Sequence, residues 1–156
     1  MEKRDLKVFM REAQGNVHVA GPATFAGADG KPIMLEIKVL GHGEIQHIND
    51  MYTMRTMATD TRGNPYIQNG QVAFKVENDT KRATGHILAE ALVYPNLKDD
   101  ELMKYYNCLD ITEMASKVFS RTDEFAHVNR VVMAALGLSR EADNADTKQA
   151  LDDAKN

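Results

Sequence analysis

Hydrophobic spacing near the N-terminus predicts a short amphipathic helix. Leu6, Phe9 and Met10 follow the i, i+3, i+4 pattern of one helix face, which favours a helix from Glu2 to Glu12. Three large apolar groups on an isolated short helix would remain exposed to water. We therefore expect this helix to dock on the body of the protein or on another subunit.

Alternating apolar and polar residues predict two strands after this helix, over Asn16 to Ala20 and Ile33 to Leu40. A stretch rich in Gly and Pro, Gly21 to Pro32, separates the two runs and favours a turn. An antiparallel hairpin is the simplest arrangement of the two strands.

The pattern then changes to a helical period, which predicts a helix from Glu44 to Ala58 and a loop from Asp60 to Gln71. Met51, Met54 and Met57 lie at three-residue steps along the predicted helix. Because such steps drift around a helix, at least one methionine should approach the surface. Two interpretations remain open, namely adaptable core filling and a soft surface for a variable partner.

The rest of the chain, up to Leu138, is predicted to be mainly helical. One helix should run from Asp79 or Thr80 until Pro95, and Leu136-Gly137-Leu138 should form a Schellman stop for the last helix. The acidic residues Asp99 and Asp100 are expected to cap and begin the next helix, and Asp110 and Thr122 are expected to cap the two that follow. The expected fold class is α+β, in which the N-terminal helix and antiparallel β-hairpin pack on a mainly α-helical C-terminal part.

Composition changes sharply after Leu138. Residues 139–156 contain one large apolar side chain, Leu151, and more acidic than basic groups. Such a segment buries too little surface to offset its ordering entropy. We therefore expect one domain over residues 1–138 and a flexible acidic tail over residues 139–156.

Overall composition excludes several functional classes. The chain is 43% hydrophobic and 27% charged, typical of a globular protein. A net charge of −4 without a run of Lys or Arg argues against nucleic acid as a partner. No apolar stretch approaches a membrane span or a signal peptide, so we expect no membrane partner and a cytoplasmic protein.

Candidate catalytic chemistry is sparse. The five histidines include no pair with HExxH or HxxxH spacing, and the turn Gly41-His42-Gly43 lacks the rest of a phosphate-binding motif. The lone Cys108 has no neighbouring His and is expected to be buried as a small hydrophobe. The residues alone predict no catalytic site, metal or cofactor.

Three stretches resemble a known family. Ala23 to Leu40, followed by Glu44 at the start of a helix, resembles the N-terminal half of XkdN-like phage tail assembly chaperones. Ile87 to Leu102 and Glu124 to Leu138 resemble the C-terminal half. The most specific element is the order Pro-Asn-Leu-Lys-Asp, which begins at Pro95 and follows the end of a helix.

The resemblance implies a non-enzymatic factor of the host cytoplasm that is absent from the mature virion. Such a factor binds the tape measure protein and helps recruit tail tube subunits, and a homo-oligomer is possible. The apolar residues expected to contact partners are Leu6, Phe9, Met10, Met51, Met54 and Met57. Two alternatives are a minor structural protein of the phage particle and a small metal-dependent hydrolase that uses the histidines.

Overall fold

A computed structural model describes residues 4–138, where five helices and seven strands follow one another. In chain order they are β1 (Val17–Ala20), β2 (Met34–Ile37), α1 (His42–Met51), β3 (Thr53–Met57), β4 (Ile67–Gln68), β5 (Gln71–Val72), β6 (Phe74–Asn78), α2 (Thr80–Ala91), β7 (Leu92–Tyr94), α3 (Asp100–Tyr105), α4 (Ile111–Val118) and α5 (Thr122–Ala135). The expected mixed α+β class is therefore observed. The predicted tail, residues 139–156, lies outside the described residues.

The predicted N-terminal helix is wrong. Within residues 4–12 only a single 3-10 turn forms, over Lys7–Phe9, and none of its residues is buried. The side chain of Asp5 accepts a hydrogen bond from the Lys7 amide at 2.9 Å, which is a local contact. Because no other element packs against the segment, it lacks the tertiary support that a short helix needs.

The predicted hairpin is present, and it belongs to a three-stranded antiparallel sheet of order β1-β2-β7. Its register pairs Val17 with Ile37 and Ala20 with Met34. The third strand was not predicted, because the helix before Pro95 was expected to continue to that residue. Instead α2 ends at Ala91, and Leu92 pairs with Ile37. A proline disfavours helical backbone at the residue that precedes it, and Tyr94, which precedes Pro95, accordingly lies in a strand.

The first part of the predicted helix from Glu44 to Ala58 is confirmed, and its second part is wrong. Helix α1 ends at Met51, and the following residues form β3, which pairs with β6 along its whole length. The expected loop from Asp60 to Gln71 likewise contains β4 and the first residue of β5. A spacing of three residues fits the helical period but does not exclude a strand. Pairing with β6 stabilises the second part of this segment as a strand instead of a helix.

Helices α1, α2, α4 and α5, together with one face of the sheet, enclose the core. Its largest fully buried side chains are Ile37, Leu88, Leu97, Met114, Val128 and Val132. Helices α2 and α4 approach closely at Gly85, where an added Cβ would collide with the carbonyl oxygen of Thr112. The glycine that weakens α2 as an isolated helix is thus required by its packing.

Most predicted helix ends are confirmed. The Asp99 and Asp110 carboxylates accept hydrogen bonds from the Leu102 and Thr112 amides, at 3.1 and 3.0 Å. The amide of Leu138 donates to the Met133 carbonyl at 2.8 Å, which is the bond of a Schellman motif. Thr122, however, is the first residue of α5 rather than its N-cap, a position that Arg121 occupies.

Candidate partner-binding surfaces

Residues 53–78 form a β-structured extension, which we call the arm. It contains the pair β3–β6 and, beyond that, the short hairpin β4–β5. No residue of the arm is buried, and none belongs to the hydrophobic core. The arm therefore exposes both faces of a two-stranded ribbon.

The outer hairpin of the arm has a local sequence cause. Asn69 and Gly70 both have positive φ, 53° and 75°, as a two-residue type I′ turn requires. They connect Gln68 to its partner Gln71, and the apolar pair Ile67 and Val72 follows next along the two strands. Asn-Gly between apolar residues is a strong hairpin signal, and it could have revealed this part of the arm from sequence.

The two faces of the β3–β6 pair differ in character. Met57 lies opposite Phe74, and Arg55 lies opposite Val76, on one face. The Arg55 guanidinium stacks over the Phe74 ring, 4.4 Å from its centroid, in a cation–π contact. Met57, Phe74 and Val76 define what we call the apolar face of the arm.

The other face of the pair is mostly polar. It carries Met54 opposite Glu77 and Thr56 opposite Lys75. Neither Phe74 nor Val76 was among the predicted partner contacts, although the alternation in Phe-Lys-Val-Glu-Asn, from Phe74 to Asn78, is a strand signal. Strand geometry therefore adds two apolar residues to the candidate surface.

The three methionines proposed as partner contacts are all exposed. The exposed fractions are 55% for Met51, 61% for Met54 and 47% for Met57. They do not lie along one helix as was expected, because Met51 ends α1 and the other two lie on β3. A three-residue step along a strand puts Met54 and Met57 on opposite faces. Only Met57 therefore joins the apolar face of the arm.

The N-terminal candidates are also exposed. Leu6, Phe9 and Met10 are 63%, 78% and 73% accessible. The expected docking on the protein's own body is therefore not observed, whereas docking on another subunit stays a prediction. Residues 4–12, which we call the N-terminal segment, form a second apolar surface separate in sequence from the arm.

A cluster of polar side chains links the base of the arm to α2. Tyr52, which directly precedes β3, places its hydroxyl oxygen 2.6 Å from Nδ1 of His86. The Arg82 guanidinium lies 5.1 Å from the centroid of the Tyr52 ring. At the other end of the arm, the Asp79 amide donates to the Tyr52 carbonyl at 2.9 Å. Both chain ends of the arm are therefore fixed at Tyr52.

The same cluster continues beyond His86. Its Nε2 lies 3.5 Å from Glu90, whose carboxylate also accepts a hydrogen bond from Lys98 at 3.0 Å. Partial burial pushes the pKa of Glu90 upward. Lys98 and His86 outweigh this effect, so the pKa of Glu90 lies below its usual value. An Nε2–H tautomer of His86 satisfies both neighbours, because Nε2–H then faces the Glu90 carboxylate and Nδ1 accepts a hydrogen bond from the Tyr52 hydroxyl group.

A small apolar pocket lies where the sheet meets α3 and α4. Its volume is about 110 Å³, and its walls include Phe25, Leu35, Tyr94, Leu102, Val118 and Phe119. The Phe25 and Phe119 rings pack edge to face, with their centroids 5.5 Å apart. Gly21, which directly follows β1, and Pro22 form part of its rim.

Candidate chemical groups are dispersed in the structure. Within residues 4–138, no three side chains among His, Cys, Asp and Glu are grouped so as to hold a metal ion. Cys108 is buried as expected, with Sγ 3.2 Å from the Asp110 carbonyl oxygen. None of the helices in this range combines the length and hydrophobicity needed to span a bilayer.

Comparisons with known proteins identify the family. The crystal structure of the protein YqbN matches this fold with a TM-score of 0.64 and 22% sequence identity, over 88% of this chain and 100% of that chain. No curated protein sequence matches the chain. The model of the family described as phage XkdN-like tail assembly chaperone protein matches residues 6–155. The chain therefore belongs to the family of XkdN-like phage tail assembly chaperones.

Proposed function

We propose that this tail assembly chaperone binds the tape measure protein, helps recruit tail tube subunits, and acts in the host cytoplasm without entering the mature virion. Its role is to hold partners rather than to catalyse a reaction. The observation that carries the proposal is the arm, which exposes large apolar side chains and contributes none to the core.

The chemistry of the arm suits a long apolar partner. Contiguous exposed apolar surface is uncommon on a protein that acts alone and marks interaction sites. Met57 is flexible and polarizable, and the Phe74 ring supplies a large contact area. Together they can follow irregular or repeated apolar positions along an extended partner.

Arg55 adds a charged group beside this surface. Its guanidinium already lies against Phe74, so it presents a cation at the edge of the apolar contact. A partner segment that combines apolar residues with carboxylates would satisfy both features. Many weak contacts of this kind along one partner would give strong binding through avidity.

Co-purification with the tape measure protein tests the proposal. We expect Met57→Glu and Phe74→Glu to reduce recovery of the partner severalfold, because each places a carboxylate in the apolar contact. Thr56→Glu is the matched control, since it introduces the same charge on the other face of β3, opposite Lys75. Circular dichroism should be unchanged for all three variants, because none of these residues is in the core.

Equal recovery with Met57→Glu, Phe74→Glu and the unaltered chain would refute binding through the arm. Mass spectrometry of purified phage particles tests the second part of the proposal. Stoichiometric chaperone in mature particles would instead support a minor structural protein of the virion. Metal analysis of the purified chain addresses the hydrolase alternative, which requires a bound metal ion.

A further inference from the structure

The extended run from Gln71 to Asn78, which comprises β5, Ala73 and β6, is paired along one side only within residues 4–138. We call its other side the free edge. We propose that the free edge binds an extended segment of the arm's partner as an added β-strand. This inference rests on the proposed function, because it describes how the arm holds that partner.

The hydrogen bonds of the arm show which backbone groups are already paired. The Asp79 amide donates to the Tyr52 carbonyl at one end of the β3–β6 ladder, and the Ala58 amide donates to the Ala73 carbonyl at the other, both at 2.9 Å. The Ala73 amide donates to the Tyr66 carbonyl at 2.8 Å. Positions that are hydrogen-bonded and positions that are not alternate along an antiparallel pair. The odd-numbered residues of the run therefore direct their amides and carbonyls into the arm.

The even-numbered residues present their backbone groups at the free edge. They are Val72, Phe74 and Val76, followed by Asn78. Strand alternation puts the side chains of the first three on one face, and they are 40%, 52% and 59% exposed. The same residues thus offer both main-chain hydrogen bonds and apolar contacts. This combination supplies affinity and specificity when a peptide adds a strand to a sheet.

The free edge lacks the features that usually prevent strand addition. Natural edge strands are commonly protected by Pro, by a bulge or by a charge. Residues 71–78 contain no Pro or Gly, and the register with β3 is continuous. The basic residue of the run, Lys75, is paired with Glu77 at 3.1 Å on the polar face. The outer edge of β3 is less suitable, because its middle position is the charged Arg55.

Charge indicates the chemistry of the added segment. The Arg55 guanidinium lies over the Phe74 ring, and it forms no ion pair within residues 4–138. An added strand places a side chain directly beside Phe74 on this face, where a carboxylate can reach the guanidinium. The occupant is therefore an extended segment with a central acidic residue. Apolar side chains two positions away on either side contact Val72 and Val76.

The same charge disfavours a second copy as the occupant. Symmetric antiparallel pairing of two free edges that covers all three apolar residues must centre on Phe74, the middle one. The two Phe74 rings would then lie side by side, and the Arg55 guanidinium over each ring would approach its counterpart. Like charges across neighbouring strands are destabilising, whereas an acidic partner segment removes this repulsion.

Hydrogen exchange at single residues tests the strand pairing in the co-purified complex with the tape measure protein. We expect the Phe74 and Val76 amides to exchange at least about tenfold more slowly in the complex than in the chain alone, because an added strand accepts hydrogen bonds from both. The Met57 amide is the control and should keep its rate, since it faces the outer edge of β3.

The outcomes separate this inference from the proposed function. Unchanged rates at Phe74 and Val76, in a complex whose recovery falls with Phe74→Glu, would overturn strand addition and leave binding by the arm intact. Recovery that is insensitive to Phe74→Glu would refute both. Slow exchange of the same two amides in the concentrated chain without partner would also overturn the inference, because a second copy would then occupy the edge.

Proline substitution provides a second measurement. Val76→Pro removes an amide at the free edge, a change that edge strands tolerate. We expect recovery of the tape measure protein to be about tenfold lower with Val76→Pro than with Val76→Ala, the equivalent of roughly 1.4 kcal/mol. Met57→Pro and Met57→Ala are the matched control pair, and they should give similar recovery because the Met57 amide faces the opposite edge. The same ratio at both positions would overturn the inference.

Discussion

The hydroxyl oxygen of Tyr52 lies 2.6 Å from Nδ1 of His86 and joins the base of the arm to the middle of α2. The imidazole is largely enclosed, with 12% of its side chain exposed. Because an unpaired polar group costs more when it is enclosed, this bond should contribute to stability as well as to the position of the arm.

Replacing Tyr52 by phenylalanine tests this contribution. Tyr52→Phe keeps the ring beneath Arg82 and removes only the hydroxyl group. We expect a loss of about 0.5–1.5 kcal/mol in the free energy of unfolding, measured by urea denaturation. Tyr105→Phe, on a largely exposed ring, is the control and should change little. Equal stability of both variants would show that the Tyr52–His86 bond is not stabilising.

Gly70 provides a test of whether the arm folds separately from the core. Gly70→Ala forces an alanine into a left-handed conformation at a cost of about 1 kcal/mol. We expect faster hydrogen exchange within residues 53–78 and an unchanged thermal midpoint for the rest of the chain. A lower midpoint for the whole protein would indicate that the arm unfolds together with the body.

Gly85 should tolerate no side chain. Gly85→Ala places a methyl group against the Thr112 carbonyl oxygen, so α2 and α4 must separate. We expect a loss of about 1–3 kcal/mol in the free energy of unfolding. Gly43→Ala is the control in α1, where the added Cβ meets open space, and it should stabilise the chain by up to about 1 kcal/mol. Stability gained in both variants would argue against close packing of α2 on α4.

Acid should weaken the Glu90 cluster. The pKa of Glu90 is lower in the folded chain than its ordinary value of 4.5, so the folded chain binds this proton less readily than the unfolded chain. The ionised carboxylate therefore stabilises the fold above pH 4.5, and this stabilisation is lost as the pH falls through the lowered pKa.

Urea denaturation between about pH 3 and pH 7 measures this loss. We expect Glu90→Gln to be less stable than the unaltered chain at neutral pH and to show a weaker fall in stability on acidification. Glu101→Gln removes one acidic group from α3 and controls for the change in net charge. Parallel curves for the unaltered chain and Glu90→Gln would contradict the prediction.

Local signals predicted the C-terminal helices well. The apolar spacing in α4 and α5, the Asp99 and Asp110 caps and the glycine of the Schellman motif all act within a few residues. Such features depend little on the rest of the fold. The N-terminal spacing was just as helical, but the segment found no element to pack against and formed only one turn.

The arm and its base were harder to predict because they depend on residues far apart in sequence. Thr53 pairs with Asn78, and Tyr52 contacts His86 across more than thirty residues. The spacing of Met51, Met54 and Met57 predicted one helix that contains all three, with at least one of them near the surface. Spacing alone did not predict that Met51 ends a helix while Met54 and Met57 lie on opposite faces of a strand.

The separation of the arm from the core affects how this sequence can diverge. A substitution at a core position such as Leu88 or Val132 must preserve volume and packing, whereas most substitutions between residues 53 and 78 disturb no core contact. Selection for a new partner can therefore alter the arm while leaving the stability of the remaining domain nearly unchanged. The same independence makes the arm a natural unit for exchange between related chains, with Tyr52 and Asp79 as the junctions.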